Sequence, residues 1–128
     1  MGISQMIIKL GVLLSGSGTT LQNLLDLSAR KELDARVVCV VASREDAYGL
    51  ERARQQEIPA VAVPRKQYVD TQSYSDAVWA ELRKHEVDLV VLAGFMTLIT
   101  VPPDFANRIM NVHPALIPAF CGRGMYGH

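Results

Sequence analysis

A chain of 128 residues is one domain or a piece of a larger one, and an apolar content of 49% is enough for a sizeable core. Thirteen basic residues balance thirteen acidic ones, so there is no electrostatic footprint for a nucleic acid or an anionic membrane. No apolar run approaches membrane-spanning length, Met1 to Leu10 has no basic start or cleavage site, and the two cysteines make no disulfide framework, so the expectation is a cytoplasmic protein.

Two kinds of segment alternate along the chain. Ile7 to Leu14 is the first short run rich in Val, Ile and Leu. A helical face of Leu21, Leu24, Leu25 and Ser28 follows it. Arg36 to Ala42 is the second strand-like run, and its Val37 to Val41 are apolar on both faces, as a strand covered on both sides requires. Cys39 within it reads as a core residue. Leu50, Ala53 and Arg54 mark a second helix, and Ala60 to Val63 a third strand. Tyr74, Ala77, Val78 and Leu82 repeat at helical spacing, with His85 in the last turn, where a cation suits the dipole. Asp88 to Ala93 is the fourth strand. Thr100 before Val101-Pro102-Pro103 looks like the start of a short helix, and Ile109 to Val112 is the last strand. This order predicts an open, mostly parallel, doubly wound α/β sheet with right-handed crossovers, in one domain over residues 1–128.

The first strand runs straight into Ser15-Gly16-Ser17-Gly18-Thr19-Thr20, and a helix follows. Glycines let the backbone turn tightly and expose its N–H groups. A helix N-terminus adds unpaired donors and partial positive charge, and Thr19 and Thr20 add hydroxyls. The pattern suits a phosphate cradle, although a plain tight turn has the same composition. It lacks the third glycine of the dinucleotide fingerprint and the Gly-Lys-Ser/Thr of a P-loop, which favours a phosphate monoester. Ser43-Arg44 stands where a ribose-binding acid would end the second strand, a feature that suits NADP.

Ligands of open α/β sheets bind outside the carboxyl ends of strands near the switch point. Gly94 there allows close backbone approach, and Phe95, Met96, Leu98 and Ile99 are candidates for an apolar slot that takes a flat ring, or for ordinary core. At the end of the last strand, Asn111 and His113 should project from one face. A carboxamide donor beside an imidazole is what acyl-type transfer needs, and Pro114 holds His113 extended. A surface Asn and a capped His would share that spacing.

Ser15 to Gln22, Ala47-Tyr48-Gly49-Leu50-Glu51-Arg52-Ala53, Leu92 to Met96 and Asn111-Val112-His113-Pro114-Ala115-Leu116-Ile117-Pro118 together resemble the phosphoribosylglycinamide formyltransferases, from about Ile7 to Tyr126 and in the right order. The resemblance implies a Rossmann-like formyltransferase fold. It implies formyl transfer from 10-formyltetrahydrofolate, as co-substrate and without a metal, to the amine of glycinamide ribonucleotide in purine synthesis. Gly18, Thr19 and Thr20 would hold the substrate phosphate, and Met96 would approach the glycinamide end through its backbone. Thr97, Leu98 and Ile99 would border the folate pocket, although family members often carry Arg at the position of Thr97. Asn111 and His113 would be catalytic, with Asn111 also near the folate. A third catalytic residue, an Asp, is expected beyond His128. The chain therefore reads as the N-terminal portion of a formyltransferase domain, inactive at this length, with an unpaired sheet edge that invites a homo-oligomer. The alternatives are formyltetrahydrofolate hydrolase, methionyl-tRNA formyltransferase and a non-catalytic nucleotide-binding module.

Overall fold

Runs of Val, Ile and Leu bounded by glycine and polar residues form strands when both faces can be covered. In the computed structural model, which describes residues 7–31 and 34–112, five such runs make one parallel sheet. They are β1 (Ile8–Leu14), β2 (Ala35–Ala42), β3 (Ala60–Ala62), β4 (Leu89–Ala93) and β5 (Ile109–Val112), in the order β3-β2-β1-β4-β5. The connecting helices are α1 (Thr19–Ala29), α2 (Tyr48–Gln55) and α3 (Thr71–Lys84). The predicted α/β class, the element order and the parallel sheet all hold, with strand ends within one residue of expectation.

Each sheet face has its own core. Leu10, Val12 and Leu14 of β1 pack with Leu21 of α1 and with Leu50 and Ala53 of α2. Leu13 of β1 and Val90 of β4 pack under Tyr74, Val78, Trp79 and Leu82 of α3. The register between β1 and β2 shifts after Leu10, from Leu10 against Val37 to Gly11 against Cys39. That bulge explains how Val37 and Val40, three residues apart, serve one core. Cys39 faces the other core, 2% exposed, and burial pushes its thiol up to about 12.

Three local expectations change. Arg54 is exposed, because the buried residues of α2 are Gly49, Leu50 and Ala53. Trp79 joins the buried face of α3, which the Tyr74, Ala77, Val78, Leu82 repeat leaves out. The short helix after Thr100 is a single 3₁₀ turn, Pro103–Phe105, with Pro102 at its N-cap. Two consecutive prolines bring no N–H donors to a longer ladder.

Gly11 marks a close approach of α3 to β1. A Cβ built there would lie 2.7 Å from Leu82 Cδ2 and 2.9 Å from Val87 Cγ2. Gly11→Ala should therefore lower stability by about 1–3 kcal/mol, the usual range for overpacking a filled core. Urea denaturation checks this, and an unchanged midpoint would refute the tight seat of α3 on β1. No helix among the described residues is long and apolar enough to cross a membrane.

Candidate active site at the switch point of the sheet

The chain leaves β1 toward β2 and β3, then crosses back to β4 and β5, so the strand order reverses beside β1. A crevice opens at the carboxyl ends there. Ser15, the first residue after β1, ties its walls together. Its N–H donates to Gly94 O at 3.2 Å, and its Oγ accepts from Met96 N at 2.8 Å. Ser15 Oγ also lies 2.6 Å from Ser43 Oγ, whose own N–H donates to Leu14 O at 3.0 Å. Both serines are buried. Three strand ends are thus joined by side chains far apart in sequence.

Above them lies a cavity of about 780 Å³, a size suited to a small-molecule substrate. Ser15, Gly16, Ser43, Met96 and Thr97 line it. Arg44, Arg65 and Lys66 also line it, against the two carboxylates of Glu45 and Asp46. Arg44 is held by Asp46 through two bonds, Nε at 3.0 Å and Nη2 at 3.0 Å. The balance of charge on the wall is positive, which favours an anion. Arg65 and Lys66 were not among the residues expected at the site. Their signal was present, because Pro64-Arg65-Lys66 follows the carboxyl end of β3 in a parallel sheet.

Of the turn from Gly16 to Thr20, Gly16 lines the same cavity, and the rest leads into α1. Gly18 is the N-cap of α1, with φ 79° and ψ 28°. A Cβ on it would lie 2.6 Å from Gly49 Cα, so the starts of α1 and α2 meet backbone to backbone. The helical ladder begins only with Gln22 N to Gly18 O at 2.9 Å. The N–H groups of Thr19, Thr20 and Leu21 have no acceptor within the helix. The first turn of α1 carries no acidic residue, so its positive end is left for an anion. Thr19 is exposed, its hydroxyl 3.1 Å from Ser17 Oγ. Thr20 is only 4% exposed, so it offers its backbone rather than its side chain.

The four apolar residues after β4 divide. Phe95 and Ile99 pack against the α3-side core, while Met96 and Leu98 are each 83% exposed. Met96 and Thr97 reach the cavity wall; Leu98 and Ile99 do not line it. The loop beyond them is pinned by α3, because Thr100 N donates to Ser75 Oγ at 2.8 Å and Thr100 O accepts from Trp79 Nε1 at 2.7 Å. Gly94 has φ 77° with open space around a built Cβ, so it is needed for its conformation and not for close packing.

Asn111 lies on β5 opposite Leu92 of β4 and is exposed. Register with Leu92 puts it on the α3 side of the sheet, across the switch point from the Gly16–Thr20 turn. It does not line the cavity. His113 and Pro114 lie outside the described residues, as does the Gly-rich stretch 120–128. Among the described residues no group of three or more His, Cys, Asp or Glu side chains gathers as a metal would need.

Residues 8–127 match the family model described as formyl transferase. The phosphoribosylglycinamide formyltransferase of Haemophilus influenzae is 39% identical over 120 residues, which are 92% of this chain and 57% of that protein. That of Bacillus subtilis is 34% identical, over 89% of this chain and 60% of that protein. The crystal structure of glycinamide ribonucleotide transformylase 1 from Symbiobacterium toebii superposes with a TM-score of 0.80 at 44% identity, covering 89% of this chain and 55% of that one. The chain thus spans a little over half the length of these relatives.

Proposed function

This chain belongs to the formyl transferase family, and from that membership we propose that it transfers the formyl group of 10-formyltetrahydrofolate to the primary amine of glycinamide ribonucleotide. The observation that carries the reading is an α1 N-terminus with no acidic residue in its first turn, entered through a turn whose Gly16 lines a cavity where Arg44, Arg65 and Lys66 outnumber Glu45 and Asp46. That arrangement suits a compact dianion such as a phosphate monoester. It lacks the third glycine that a dinucleotide-binding turn uses.

The substrate phosphate sits on the backbone of Gly18, Thr19 and Thr20, and the glycinamide arm extends along the Met96 backbone. The folate lies against Thr97, Leu98 and Ile99, with Asn111 at the reacting end. The amine nitrogen attacks the formyl carbon, and a C–N bond forms as the carbonyl oxygen becomes an oxyanion. The Asn111 carboxamide donates to that oxygen. The His113 imidazole moves a proton from the attacking nitrogen to the folate N10, and the C–N10 bond breaks. Holding both substrates in line supplies several kcal/mol of the barrier reduction. No step requires a metal. The reading places the protein in the cytoplasm, in purine biosynthesis.

The test compares acceptors and ligands. Glycinamide ribonucleotide should bind in calorimetry at least about a hundredfold tighter than the same nucleoside without its phosphate, given the strength of charge-assisted bonds to a dianion. Formyl transfer should go to the ribonucleotide and not to water or methionyl-tRNA. Equal binding of phosphorylated and dephosphorylated ligands, or preferred release of formate, would overturn it.

A further inference from the structure

The Gly16–Ser17–Gly18 turn does not hold its shape alone. Two of its carbonyls are drawn toward α2. Gly16 O accepts from Gly49 N at 3.1 Å, and Ser17 O accepts from Arg52 Nε at 2.7 Å. The described peptide bonds include no cis bond, and in a trans peptide the C=O of one residue points opposite to the N–H of the next. Drawing the Gly16 and Ser17 carbonyls toward α2 therefore turns the N–H groups of Ser17 and Gly18 away from it. A built Cβ at Gly16 meets nothing within 4 Å, so the space beside the turn is open to a ligand.

Arg52 is itself well held. Its Nη1 donates to Gln22 Oε1 at 3.3 Å, and its guanidinium lies 5.0 Å from the Tyr48 ring centroid. The Gln22 amide is set in turn by its bond to Asp26 Oδ1 at 3.0 Å. Among the described residues no carboxylate makes an ion pair with Arg52, so its charge is not neutralised beside the turn. A planar guanidinium can serve the Ser17 carbonyl, the Gln22 carboxamide and the Tyr48 face at once, which an ammonium cannot.

The geometry points to Arg52 as a positioning residue for anion binding: it turns the backbone donors of Ser17 and Gly18 outward and adds a cation behind them. This rests on the phosphate-cradle reading above and deepens it, since it gives specificity for a phosphorylated ligand to a residue on a second helix, 35 positions from the carbonyl it grips.

The test uses Arg52→Met, Arg52→Lys and, as a control for charge alone, Arg54→Met, an exposed position on the same helix. Calorimetry with glycinamide ribonucleotide and with a folate analogue gives the affinities, and inorganic phosphate is titrated while the amide resonances of Ser17 and Gly18 are followed. Arg52→Met should weaken the ribonucleotide about thirtyfold and leave the folate analogue within about twofold, as loss of a charge-assisted contact at one end of the site predicts. Arg52→Lys should recover only part of the loss, and Arg54→Met should stay near wild type. The phosphate-dependent shift of the Gly18 amide should be lost in Arg52→Met. Equal weakening by Arg52→Met and Arg54→Met, or equal loss of both ligands, overturns the inference. So does full recovery in Arg52→Lys, which is also the variant that decides if Arg52→Met does not fold. A wild-type protein that binds neither the ribonucleotide nor phosphate overturns the phosphate-cradle reading, and this inference with it.

Discussion

Replacing Asn111 with Ala in the complete protein is expected to lower formyl transfer by about a hundred- to a thousandfold, the usual cost of removing one preorganised oxyanion donor. Binding of either substrate should change by no more than about twofold, because the bond matters only once the carbonyl oxygen carries charge. The structure makes this a clean experiment. Asn111 is exposed at the end of β5, so truncation opens no cavity in either core. Its backbone remains paired to β4, with Asn111 opposite Leu92. Asn111→Asp keeps the size but turns a donor into an acceptor, and it should be at least as impaired as Ala. Single-turnover rates with both substrates saturating give the comparison. Retention of more than a tenth of the wild-type rate in Asn111→Ala would remove the residue from the chemistry.

The second large effect is expected at Gly18. Its φ of 79° lies in the left-handed region, where a side chain costs about 1–2 kcal/mol. Crowding adds to this, because the new Cβ would meet Gly49 Cα at 2.6 Å and Arg52 Cδ at 3.2 Å. The obstacle is backbone, so the starts of α1 and α2 must separate. Gly18→Val should therefore weaken glycinamide ribonucleotide by more than about a hundredfold, since the turn's donors would lose their common direction. Binding of a folate analogue should stay within about threefold, because Gly94 and Met96 are held by the Ser15 contacts on the other side of β1. Equal loss of both ligands in Gly18→Val, or of neither, would show that the turn is only structural.

These expectations come from different depths of information. Periodicity reports burial, and burial in this fold is mostly local. The two-faced apolar runs of β2 and β4 could become only covered strands, and the glycines after β1 could become only a tight turn onto a helix. The class of fold, the order of elements and the tight turn that leads from β1 into α1 were therefore readable from neighbouring residues alone. The alternating fates of Phe95, Met96, Leu98 and Ile99 were not. Two go to the core and two to the surface, and the division depends on where α3 lies against β4.

The bonds that shape the site lay further out of reach. Ser15 Oγ meets Ser43 Oγ across 28 residues and Met96 N across 81, and Arg52 reaches Ser17 across 35. No local pattern contains such pairs, because they exist only once β1 lies between β2 and β4. The same placement brings Arg65 and Lys66, after the outermost β3, to the wall of a cavity centred two strands away. It also turns Thr20 inward, because the face of α1 that carries Leu21 must meet β1 and β2. The sequence by itself determined which segments are strands and helices and which short motifs are polar in an apolar frame. The strand order, set by right-handed crossovers and by the need to cover both faces of β1, decided which of those polar groups share one site.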